Sequence, residues 1–119
     1  TKEYFMLENI GHDGYQAGLD YLIGGNDNTS GIAIWHIDEN QSGNSDYTHK
    51  LVDLEEAADA GLDLGAHNGK QTSLFFSGNK TEFSNSTNPN SKTYSGTSSG
   101  ITINNISAAG DSMTFDVSF

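Results

Sequence analysis

The chain has 119 residues and carries 16 acidic side chains against 5 lysines, with no arginine, no cysteine and a formal net charge of −11. That length fits one domain, residues 1–119, and the charge opposes a nucleic-acid or anionic-membrane partner, since both are held by clustered Lys and Arg. Zero cysteine excludes a disulfide scaffold, a thiol nucleophile and a thiolate zinc site, and no apolar run approaches the roughly 20 residues of a membrane span.

In chain order, Glu3 to Ile10 reads as a strand, with Tyr4 and Met6 on one face and Phe5 and Leu7 on the other. Apolar residues on both faces predict a buried strand, not an edge. The cluster Gly11 to Gly14 ends it. Tyr15, Leu19, Leu22 and Ile23 stand at near-helical spacing, and residues 24–28 form a loop. Gly31 to Asp38 is the clearest strand. Ile32, Ile34, His36 and Asp38 share one face, while Ala33, Trp35 and Ile37 share the other, which places the run at the centre of a sheet or between layers, with Trp35 in the core.

Residues 39–50 read as irregular, and Leu51 to Ala60 fits either a short helix or a strand. Thr72 to Phe76 predicts a short strand. Residues 78–100 are a long polar stretch, expected as ordered loops or a ligand-stabilised surface. Ile101 to Phe119 predicts a hairpin turning at Ala108 to Asp111, with Met113, Phe115, Val117 and Phe119 pointing inward. The expected fold is mainly β: an antiparallel two-layer sandwich or barrel-like domain with one or two short helices.

Four histidines, at 12, 36, 49 and 67, raise the question of zinc. None falls in His-Glu-x-x-His, the spacing that sets two ligands on one helix face beside a general base, and no Gly-x-Ser-x-Gly elbow is present. No catalytic residue is assigned. His36 and Glu8 are expected to form a structural polar cluster, because a carboxylate in an apolar run must find a partner. Asp38, Asn40, Ser42 and Asp46 alternate around Gly43 like the oxygen donors of a calcium loop, although His49 stands near the place of its closing Glu. Asp27, Asp53, Asp59 and Asp63 are further oxygen donors. The plainer reading of the acidity is a solvated surface. Five Asn-x-Ser/Thr sequons follow from composition alone.

Several segments, kept in order, resemble the immune inhibitor A family of secreted bacterial zinc metalloproteases, the M-six peptidases. They are Glu3 to Asn9, Gly14 to Leu19, Ser30 to Glu39, His49 to Ala57, Pro89 to Ser91, Tyr94 to Gly96, Ser99 to Ser107 and Met113 to Phe115. The family's His-Glu-x-x-His helix would lie upstream and is absent here, and Gly65 to Lys70 is poorer in aspartate than the family's corresponding run. The resemblance implies a fragment or stand-alone relative of an exported peptidase, with zinc expected only in an upstream domain. Its partners would be the catalytic domain of the same polypeptide and the protein or peptide substrates of the parent. The alternative expectation is an independent extracellular β-sandwich module that binds carbohydrate or protein.

Overall fold

The computed structural model describes residues 2–11, 30–58, 61–66 and 69–119. The helical spacing at 15–23, the turn and loop at 12–14 and 24–28, His12, His67, Asp27 and Asp59 lie outside them. The described chain is mainly β and antiparallel. Strands β1 (Glu3–Ile10), β2 (Gly31–Asp38) and β3 (Val52–Leu54) form one sheet in the order β1-β2-β3, and β4 (Thr102–Asn104) pairs with β5 (Asp116–Ser118).

The central strand is apolar on both faces because both are covered. In the β1–β2 register Phe5 stands opposite His36 and Leu7 opposite Ile34, so these four share a face. With Ile32, the apolar three (Phe5, Leu7 and Ile34) pack against Ala57, Phe75, Phe83, Ile103 and Ile106, a core shared by both sheets. The other face places Ala33 against Ile10 and Leu74, with Trp35, Leu54 and Phe76 around them.

A buried strand must also satisfy its backbone along both edges. β1 takes one edge of β2 along its whole length. On the other edge β3 reaches only Trp35 to Ile37, and neighbours complete the work. Asp38 N–H donates to Leu51 O, Glu55 N–H to Ile34 O, and Ile32 and Phe75 exchange both bonds at 2.9 Å. Gly31 permits that last approach. Its φ is +151°, and a Cβ there would meet Leu74 Cβ at 2.9 Å.

Several expectations are corrected. Among the described residues β1 is an edge strand, with Met6 exposed. Thr72 to Phe76 is no strand; a 3-10 turn at Gln71–Ser73 leads into the single bridge at Phe75, because β2 offers only Ile32 there. Residues 52–54 resolve the ambiguous segment as strand. In the hairpin Met113 packs on the core, yet Phe115 and Val117 are exposed and Phe119 is 93 % exposed. Alternation defines two faces of a strand but does not supply a layer to cover one. Trp35 is half-buried, its indole N–H donating to Glu8 Oε2 at 3.0 Å.

The polar stretch 78–100 is ordered by its own side chains. Ser91, fully buried, donates to Ile101 O at 2.7 Å, and Thr87 Oγ1 accepts from Ser84 N–H at 2.8 Å. The Asn88–Pro89 peptide is cis.

Candidate functional site

His36 is the centre of a network that draws on four parts of the chain. Its side chain is 3 % exposed, and both ring nitrogens face carboxylates: Nε2 lies 2.9 Å from Glu3 Oε1 on β1, and Nδ1 lies 3.0 Å from Glu55 Oε1 just after β3. Phe5 packs on one side of the ring at 4.4 Å. Tyr94 stacks on the imidazole at 4.3 Å and 9°, and His49 lies against Tyr94 at 4.2 Å. Glu3 Oε1 also accepts the Tyr94 backbone N–H at 2.7 Å, so one oxygen ties the histidine to the turn that carries the tyrosine.

The electrostatics follow from these contacts. Burial works against a charge on His36, but Glu55 and Glu3 outweigh it and hold its pKa above the ordinary 6.5. Burial, then the negative charge of Asp53, push the Tyr94 phenol well above 10. Lys50 is disfavoured by burial, yet Asp53 at 2.6 Å and Asp63 more than offset this and raise its pKa. The Asn40 backbone N–H and the His49 ring hold Asp38 below its ordinary value.

Beside this network opens a cleft of about 400 Å³. His36, Tyr94 and Thr93 form part of its wall, together with four acids (Asp53, Glu55, Glu56 and Asp63), one cation (Lys92) and the segment Asn88 to Asn90. Such a wall favours cationic or hydroxylated groups over anions. His36 is no general base as it stands, since a base needs a nitrogen lone pair aimed at a substrate proton and both nitrogens here face carboxylates.

The Glu8–His36 cluster is corrected. Glu8 lies opposite Ala33, and strand side chains alternate with period two, so it belongs to the face away from His36 and is exposed beside Trp35. Of the four candidate calcium ligands, Asp38, Asn40 and Asp46 are engaged in hydrogen bonds within their own loop. Asp38 Oδ1 accepts from Asn40 N–H at 2.9 Å and from its amide at 2.7 Å, while Asp38 Oδ2 takes His49 Nε2 at 2.7 Å. Asp46 caps Thr48 through N–H and hydroxyl, and Ser42 is exposed. A calcium loop converges oxygens on one point, whereas here the carboxylates converge on hydrogen-bond donors. Among the described residues no group of three or more His, Asp or Glu is placed to hold a metal ion.

Compared with protein-family models, with characterised proteins and with solved structures, the chain gives no match. Among the described residues no helix is long and apolar enough to cross a membrane.

Sequence reasoning missed Glu3, Glu55 and Tyr94 as partners of His36. Glu3 was within reach: once Phe5 is set opposite His36, period two puts Glu3 on the same face. Glu55 was hidden by the helix-or-strand ambiguity of its segment. Tyr94 carried no periodic signal, since it sits in a turn far along the chain.

Proposed function

We propose that this chain is a non-catalytic β-domain of an exported metalloprotease of the immune inhibitor A type, supporting a zinc-bearing catalytic domain of the same polypeptide. One observation carries the reading. Residues from separate segments of the resemblance meet in space: Glu3, His36 with Asp38, His49, Glu55 and Tyr94 join one connected network, and Pro89 lines the cleft beside it. Side chains distributed over some 90 positions and joined this way favour a common structural kernel over chance likeness of short motifs.

The role is supportive because His36, the obvious acid–base candidate, is committed to two carboxylates. The acidic, Ser- and Asn-rich composition suits the surface of an exported protein. The test is to read the coding frame upstream of Thr1 and to assay casein hydrolysis by this chain alone and by the full-length product. A His-Glu-x-x-His segment upstream, with chelator-sensitive hydrolysis only by the full-length protein, is expected. Chelator-sensitive hydrolysis by the isolated chain overturns the non-catalytic role. Specific glycan-array binding, with no peptidase segment in the frame, replaces the reading with an independent binding module.

A further inference from the structure

We propose that His36 is a proton-operated latch: as imidazolium it joins Glu3 to Glu55 and holds the Tyr94 turn against the cleft wall, and on losing its proton it releases that turn. The inference is independent of what the cleft binds.

The geometry carries it. A neutral imidazole has one N–H, and the other ring nitrogen presents a lone pair. With carboxylate oxygens at 2.9 Å and 3.0 Å from the two nitrogens, only the imidazolium fills both contacts with a proton. After deprotonation a lone pair faces a carboxylate at hydrogen-bond distance in a site that is 3 % exposed, where water does not relieve it. One carboxylate must then turn away. If Glu3 moves, the Tyr94 N–H loses its acceptor.

The turn is closed by its own hydrogen bonds. Thr93 N–H donates to Thr97 O at 2.9 Å and Gly96 N–H to Thr93 O at 2.8 Å, closing it on itself. It is tied to the rest of the chain by the Tyr94 N–H bond, the ring contacts of Tyr94 with His36 and His49, and the phenol, which accepts the Lys50 backbone N–H and reaches Asp53 at 3.4 Å. The charged and titratable groups around His36 come from every element packed on it. They are Glu3 from β1, Asp53 opposite it on β3, Glu55 after β3, and Tyr94 from the turn, with the His49–Asp38 pair beyond Tyr94. Asp53 pairs with Lys50, while Glu3 and Glu55 are the carboxylates in contact with the ring nitrogens.

The sign follows. His36 titrates above its ordinary 6.5 in the folded chain, so the latch is fully closed below that value and opens as pH rises through the raised one.

The experiment follows the His36 ring nitrogens by long-range 1H–15N spectra and the Tyr94 amide by hydrogen exchange, from about pH 5.5 to about pH 9. Both ring nitrogens should carry protons at the acid end of this window. Through their titration, Tyr94 exchange should rise about tenfold or more beyond its intrinsic base-catalysed rate, while Ser77, bonded to Ser107 O, keeps its protection. Glu55→Gln supplies the control. Its amide donates to a neutral Nδ1 while Nε2–H still serves Glu3, so Tyr94 stays protected across the window. A single ring proton at the acid end of the window, Tyr94 exchange at the intrinsic rate throughout, or unaltered opening in Glu55→Gln would each overturn the latch.

Discussion

Tyr94 lies flat on His36, ring centroids 4.3 Å apart and planes 9° from parallel, with His49 on Tyr94 at 4.2 Å. One half-buried aromatic thus fastens a turn late in the chain to the central strand and to the loop after it. The ring supplies the stacking, while the hydroxyl accepts the Lys50 backbone N–H and makes a long contact of 3.4 Å with Asp53. Tyr94→Phe should cost under about 1 kcal/mol in urea unfolding, and Tyr94→Ala about 2 kcal/mol or more. Equal losses in the two variants would assign the anchor to the hydroxyl instead.

Asp38 sets the acid limit of the loop after β2. Its carboxyl titrates below the ordinary 3.8 because the Asn40 N–H and the His49 ring favour the anion. A depressed folded value means the contribution is present above 3.8 and disappears as pH falls through the lowered one. Asp38→Asn should therefore lower the melting temperature at neutral pH and flatten its decline below about pH 4. An acid limb as steep as that of the parent chain would show that other carboxylates govern it.

Gly31 marks where the backbone of β2 meets the Leu74–Phe75 segment. A methyl group there lies 2.9 Å from Leu74 Cβ and 3.1 Å from Phe75 O, at a φ of +151° that L-residues rarely adopt. Gly31→Ala should destabilise by about 2–4 kcal/mol, through strain and loss of the Ile32–Phe75 bridge. Gly43→Ala, whose added carbon meets nothing within 4 Å, should stay within about 0.5 kcal/mol. Chemical denaturation of the two variants side by side makes the comparison.

Phe83 is fully buried, in edge contact with Phe5 at 5.1 Å and Phe75 at 5.9 Å, and trades backbone bonds with Ile103. Phe83→Ala should cost about 3–5 kcal/mol, while Phe119→Ser should change stability by under about 0.5 kcal/mol. A large loss in the second variant would mean that the hairpin face is covered in solution.

The mainly β fold and the two faces of β1 and β2 were legible, because period-two alternation is a local property of the residues themselves. His36 was legible as a histidine in need of a carboxylate, but its partners were not. They depend on which residue of β1 stands opposite which of β2, and a slip of one residue would put Glu8 in place of Glu3 on the face of His36. A short strand such as Val52–Leu54 holds too few residues to show a period, so Glu55 went unplaced. Inward and outward in the hairpin could not be told from the pattern of Met113 to Phe119, since exposure depends on what lies over it.

That hairpin has a bearing on how the chain behaves in bulk. Among the described residues β5 has an open backbone edge beside Val117 and Phe119, with neither lysine nor proline to discourage pairing. At neutral pH a net charge of −11 keeps neighbouring molecules apart. Acidification removes that repulsion while leaving the sticky margin unchanged, so the solubility of the isolated chain is a property of its carboxylates acting at a distance on a strand they do not touch.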